Sequence, residues 1–173
     1  MSRLDNAIKL ATETHSGQTD LGGYPYILHP LRVLCAVEKH IRDMKVSDRD
    51  SILCSAVLHD VIEDSKQGRD QARYEVSEVA RDDFITFEGI NYGEVVEKTV
   101  DTLSRGKDEP WNKYINKINE HWAPRIIKIY DLKDNLDLSR IKDISDKDLK
   151  RNSMYEKALK KLQETEESHA YRI

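Results

Sequence analysis

The chain has 173 residues, enough for one domain of about the usual size with a sizeable core. Charged residues make up 35% and aromatics only 7%, a balance that suits a well-solvated helical protein, and the net charge of −4 argues against a nucleic-acid partner, which needs a basic stripe. No run approaches the length of a membrane span and the first residues lack a signal-peptide pattern, so no membrane partner and a cytosolic location are expected.

Residues 3–15 read as an amphipathic helix, with Leu4, Ile8, Leu10 and Ala11 near one face and Gly17 placed to stop it. Residues 19–28 form a loop broken by Gly22, Gly23 and Pro25. Pro30 suits the first turn of a second helix reaching about Met44. Ser47 is placed as an N-cap, with Asp48 and Asp50 favouring the helix dipole, and a third helix runs on to about Glu63. Cys35 and Cys54 lie in apolar helical patterns with no CxxC spacing, which predicts buried free thiols.

Gln67 to Asp70 reads as loop, Gln71 to Asp83 as helix, and Phe84 to Gly89 as β-like or a loop. Tyr92 to Leu103 carries a helical pattern in Val95, Val96, Thr99, Val100 and Leu103. Lys107 to His121 is a further helix, with Trp111, Tyr114, Ile115 and Ile118 inward. Pro124 starts a helix that ends near Leu138. A charged helix over residues 146–167 has Leu149, Tyr155, Leu159 and Leu162 as its apolar stripe, and the tail from Ser168 frays. With no internal repeat and no βαβ alternation, an all-α bundle is expected. One domain over 1–173 is expected, its core about 3–140.

The most informative stretch is Ser51 to Asp64, an apolar run closed by His59-Asp60 and Glu63-Asp64. Four ionisable groups at the end of such a run are costly to bury unless paired or metal-bound. On one continuous helix His59 and Glu63 share a stripe, and Asp60 and Asp64 share the next. His29, in Tyr24-Pro-Tyr-Ile-Leu-His-Pro30, and Asp131, in Arg125-Ile-Ile-Lys-Ile-Tyr-Asp131, extend the set to two imidazoles and two carboxylates. Such a mixed N/O set suits Mn²⁺, Fe²⁺, Zn²⁺ or Mg²⁺ and leaves positions for water and substrate.

Taken together, these stretches resemble the HD-domain metal-dependent phosphohydrolases, and more narrowly the hydrolase domain of the RelA/SpoT alarmone family. The matching pieces are Ala11-xxx-His15-Ser-Gly-Gln18, Pro25 to Pro30, Val57 to Asp64, Tyr92-Gly93 through Val100-Asp-Thr-Leu103, and Arg125 to Asp131, in the family's order over roughly residues 7–140. The resemblance implies an HD-domain helical bundle. It implies His29, His59, Asp60 and Asp131 as metal ligands, usually of Mn²⁺. It implies Glu63 and Asp64 as catalytic carboxylates, with either one the base.

The implied reaction is attack of water on phosphorus, releasing pyrophosphate from the 3′ position of guanosine 3′,5′-bis(diphosphate). The partner is then a phosphorylated nucleotide. A nucleotide or NADPH phosphatase of the same fold, and a non-catalytic nucleotide-binding module, are the alternatives. Asn135, Lys128, Arg125 and Tyr24 are candidate substrate contacts, and His15 is a structural or supporting residue. Arg105 and Lys107 are weaker candidates for phosphate, and Tyr26 is assigned to packing of the loop. The chain departs from the family at Thr19-Asp20-Leu21, where basic residues are usual, and at Leu132-Lys-Asp134. Those departures leave the metal chemistry in place and bear on the substrate.

Overall fold

The computed structural model describes residues 2–44, 48–79 and 92–170, with the backbone alone for the last two. Among them every regular element is helical: α1 (Arg3–Thr14), α2 (Leu28–Ile41), α3 (Arg49–Val57), α4 (Val61–Asp64), α5 (Arg69–Val79), α6 (Tyr92–Leu103), α7 (Trp111–Asn119), α8 (Trp122–Asn135) and α9 (Asp146–Ala170), with a short 3₁₀ turn at Leu138–Arg140. No described helix is long and apolar enough to cross a membrane.

α1 is started by a capping box. Ser2 Oγ accepts from Asp5 N, and Asp5 Oδ2 accepts from Ser2 N. Its inward face is Ala7, Leu10 and Ala11, with Leu4 and Ile8 packed beside them. His15 closes it, and Gly17 carries the chain away at φ +76°. The loop that follows folds back on itself through an isolated antiparallel bridge between Thr19 and Pro25. Gly22 presses against the backbone oxygen of Arg140, so close that an added Cβ would sit 2.6 Å from it. This contact ties the loop to the chain beyond α8.

α2, α3 and α8 pack together at the centre, with α1, α5 and α6 on one side and α7 and α9 on the other. Their shared core includes Val33, Val37, Ala56, Val57, Leu58, Ile62, Val100, Ile118, Ile127 and Leu132. Tyr114 is buried, and its hydroxyl donates to the Leu103 carbonyl. α9 is fastened to α8 by a polar seam. Arg125 Nε donates to Glu166 Oε2 at 3.0 Å and Nη1 to the Asn119 carbonyl at 2.8 Å, while Trp122 Nε1 donates to Glu166 Oε1 at 3.0 Å.

Several sequence expectations need correction. The third helix does not run through to Glu63; it stops at Val57, and a turn at Leu58–Asp60 precedes α4. Its cap is Asp48, whose carboxylate accepts from Ser51 N; Ser47 lies outside the described residues. α7 begins at Trp111 rather than Lys107, because Pro110 sits in an extended conformation (ψ 139°) and Glu109 is spent on a turn that accepts from Gly106 N. α5 starts at Arg69, inside the expected loop. Val95 and Leu149 face outward, and Ala158 takes its place with Leu162 in the stripe of α9. Cys54 is buried but Cys35 is exposed. The expected β-like segment from Phe84 to Gly89 lies outside the described residues.

Candidate metal centre

The break between α3 and α4 builds the site. Leu58 (φ −96°, ψ 2°) and Asp60 (φ −102°, ψ −5°) leave helical geometry for the bridge region. Neighbouring residues on a continuous helix point in directions about 100° apart. In this turn His59 Nε2 and Asp60 Oδ2 instead come within 3.1 Å of each other. His59 Nδ1 donates to the Ala56 carbonyl at 2.8 Å, which helps close the turn.

α2 and α8 complete the group. His29, near the start of α2, places Nε2 3.2 Å from His59 Nε2 and 3.7 Å from Asp60 Oδ2. Asp131, on α8, places Oδ1 3.1 Å from His29 Nε2 and 3.7 Å from His59 Nε2. His29, His59 and Asp131 are all buried, and each offers a donor atom within 4.8 Å of the others.

The donor set fits a divalent cation. His59 Nδ1–H is committed to Ala56, and His29 Nδ1–H is committed to Asp134 Oδ2 at 2.7 Å. A neutral imidazole carries one N–H, so both ε nitrogens then present lone pairs to one point. Two lone pairs 3.2 Å apart, buried and flanked by two carboxylates, call for positive charge between them.

Where no ion is held, the same carboxylates draw a proton to the ε nitrogens instead. Burial alone would lower the His59 pKa, but the Asp60 charge and hydrogen bonds to Asp131 and Asp60 push it up to about 10. Burial likewise opposes ionisation of Asp131, yet the Lys128 ammonium and the two imidazoles hold its carboxyl well below the usual range. Lys128 Nζ lies 2.7 Å from Asp131 Oδ2 and faces the Tyr114 ring at 5.2 Å.

Glu63 and Asp64, on α4, differ in setting. Asp64 is partly covered; burial, then the charges of Asp60 and Glu63, push its carboxyl up to about 6. Its Oδ2 lies 3.7 Å from Nδ1 of the buried His15, whose Nδ1 also meets Gln18 Oε1 at 2.9 Å. His15 Nε2 is buried with no hydrogen-bond partner among the described residues. Glu63 is exposed, and its Oε2 accepts from the Arg105 backbone N at 3.0 Å.

Beside the group opens a cleft of about 210 Å³, bounded by the Thr19–Gly22 loop, Tyr26, His29, Arg32, Asp134, Asn135, Asp137, Arg140 and Arg151. Of the expected substrate contacts, Asn135 reaches it, although its Nδ2 is already bonded to Asp131 Oδ1 at 2.5 Å. The others are placed differently. Lys128 is taken up by Asp131, and Arg125 is buried in the α8–α9 seam. Tyr24 is 55% exposed on the loop and does not line the cleft. Arg105 folds back, its Nε donating to the Glu109 carbonyl, and Lys107 is exposed.

Tyr26, assigned to packing from sequence, instead donates its hydroxyl to Asp60 Oδ2 at 2.7 Å, and its ring packs at a tilt against the His15 and His29 rings. No sequence expectation gives Arg32 or Asp134 a role at the site. Their signal was helical spacing: each lies three residues beyond a member of the group, His29 and Asp131, and so shares its face.

No family model matches the chain. A 65-residue stretch, 38% of the chain, is 42% identical to the bifunctional (p)ppGpp synthase/hydrolase SpoT of Escherichia coli strain K12, and equally to a guanosine-3′,5′-bis(diphosphate) 3′-pyrophosphohydrolase of Shigella flexneri. The matched stretch spans only 8% of the length of either relative. Among solved structures, a metazoan orthologue of SpoT, described as hydrolysing ppGpp and acting in starvation responses, superposes with a TM-score of 0.68 at 19% identity, covering 94% of this chain and 85% of that one. That likeness shows the expected helical fold, and the sequence match shows that the chain resembles the SpoT-type hydrolases in local sequence as well as in fold.

Proposed function

We propose that the protein is a metal-dependent phosphohydrolase that removes pyrophosphate from the 3′ position of guanosine 3′,5′-bis(diphosphate). The observation that carries the reading is the convergence of the His29 and His59 ε nitrogens with Asp60 and Asp131 beside an open cleft. The SpoT-like fold and sequence stretch supply the reaction class.

In this reading His29, His59, Asp60 and Asp131 hold the ion, with Mn²⁺ favoured over Fe²⁺, Zn²⁺ and Mg²⁺. When bound, such a cation lowers the pKa of water and polarises a phosphoryl oxygen. Tyr26 fixes Asp60 through its hydroxyl, and Lys128 fixes Asp131. Asp64, whose carboxyl is pushed up to about 6 by burial and by the Asp60 and Glu63 charges, would take the proton of the attacking water. Glu63, anchored on the Arg105 amide, orients that water with its other oxygen. Arg32, Arg140 and Arg151 line the cleft but are paired with Asp134, Asp137 and Asp148, so a polyphosphate would have to share them with these carboxylates, beside Asp20 on the same wall.

The test is an assay of the Mn²⁺-loaded protein against guanosine 3′,5′-bis(diphosphate) and NADPH, with pyrophosphate and orthophosphate resolved. Pyrophosphate from the alarmone is expected. Orthophosphate from NADPH alone would move the substrate and keep the site. No product from either would leave a binding module.

A further inference from the structure

His29 is gripped by α8 on both sides of its ring. Asp131 Oδ1 lies 3.1 Å from Nε2, and Asp134 Oδ2 lies 2.7 Å from Nδ1. The two aspartates are three residues apart, so consecutive turns of one helix face close on one imidazole. Asp134 is itself clamped. Arg32 donates from Nε to Oδ1 at 2.6 Å and from Nη2 to Oδ2 at 3.0 Å, the paired fork that matches a carboxylate. Arg140 Nη2 donates to the Asp134 carbonyl at 2.7 Å and reaches Oδ2 at 3.3 Å.

This arrangement has more bonds than a simple helix-to-helix salt bridge needs. An imidazole that ligates through one nitrogen needs its other N–H held, because that hydrogen bond fixes both tautomer and ring direction. Asp134 is the acceptor that does so for His29, while Ala56 does so for His59. A carboxylate is the stronger acceptor of the two. Arg32 and Arg140 also line the cleft, so the clamp joins the cleft wall to the ligand.

We infer that Asp134 is a positioning residue: held by Arg32 and Arg140, it fixes the Nδ1–H form of His29 and aims the Nε2 lone pair at the metal. The inference rests on the metal-dependent reading above and adds a residue to it. The test is isothermal titration of the apo full chain with Mn²⁺. Asp134→Ala weakens binding about 10–100-fold. Asp134→Asn falls between, since its amide oxygen still accepts from Nδ1–H but no longer carries charge. Glu38→Gln, which removes an exposed carboxylate paired with Arg42, leaves affinity unchanged.

A second readout separates positioning from bulk stability. In the Zn²⁺-loaded protein the His29 Nδ1–H gives a slowly exchanging imidazole proton signal, which Asp134→Ala loses while the His59 signal stays. Should Asp134→Ala fail to fold, Asp134→Asn carries both measurements. Wild-type affinity and an intact His29 signal in a folded Asp134 variant would overturn the inference alone. A wild-type protein that binds no Mn²⁺ or Zn²⁺ would overturn the metal reading and this inference with it.

Discussion

The ε nitrogens of His29 and His59 lie 3.2 Å apart, and the δ nitrogen of each ring is already bonded, to Asp134 and to the Ala56 carbonyl. The first contact comes from α2 and the second from the turn after α3, so the pair forms only when the bundle is assembled. The carboxylates of Asp60 and Asp131 stand beside it. A single cation at this point relieves lone-pair repulsion and offsets the buried charge of Asp131 and the half-buried charge of Asp60.

Asp60→Ala is therefore expected to remove bound metal and hydrolysis together. It deletes one donor and leaves the Tyr26 hydroxyl without its acceptor. Metal content of the purified variant by elemental analysis, with turnover alongside, checks this. Stoichiometric metal in Asp60→Ala would remove that residue from the ligand set.

Tyr26→Phe isolates the hydrogen bond that steadies Asp60. The lost bond to a charged acceptor is worth about 1.5–3 kcal/mol. The expected outcome is a metal affinity roughly 10-fold weaker with the fold intact, in line with other partners of ligand side chains. Unchanged affinity would make Tyr26 a packing residue, as its sequence context first suggested.

Glu63→Ala is expected to keep the metal and lose most of kcat, because Glu63 faces solvent beside the group and contributes no atom to it. Stopped assays at saturating Mn²⁺ test this. A variant with full kcat would leave Asp64 to work without it.

Asp64 makes stability depend on pH in the metal-free protein. Its carboxyl is pushed from 3.8 up to about 6 by burial and by Asp60 and Glu63. The folded state thus binds the proton more tightly than the unfolded chain. The stability gained is present below about pH 4 and is lost as pH rises through 6. Asp64→Asn removes this loss. Discounting for the exposure of the side chain, the variant is expected to be about 1 kcal/mol more stable than wild type at pH 7.5 and indistinguishable at pH 4. Urea titrations with chelator at both values read it; equal stability at pH 7.5 would contradict the assigned setting of Asp64.

Arg125→Ala probes the α8–α9 seam. Removing one partner of a buried ion pair costs about 3 kcal/mol. The melting temperature is expected to fall, while Mn²⁺ affinity and KM stay at wild-type values. A raised KM with no loss of stability would return Arg125 to the substrate contacts.

Much of the bundle could be read from periodicity. Tyr92 to Leu103 matches α6 end to end, and Pro30 and Pro124 lie in first turns as their locked φ allows. The break after Val57 could not be read, because Leu58 to Asp64 keeps the apolar spacing of a helix and the signal is tertiary: His59 is drawn to Ala56 and Asp60 to Tyr26. The fate of Lys128 and Arg125 was equally hidden. Both are cations on α8 three residues apart, and only packing shows one turned to Asp131 and the other to Glu166. The cleft arginines come from α2, the turn after α8, and α9, so no local motif announces them.

The most direct test is a crystal of the full chain grown with Mn²⁺ and measured at the manganese edge. The account predicts one anomalous peak within bonding distance of His29 Nε2, His59 Nε2, Asp60 and Asp131, and its loss in Asp60→Ala. A well-ordered crystal with no peak there, or with the peak held by other side chains, would contradict it.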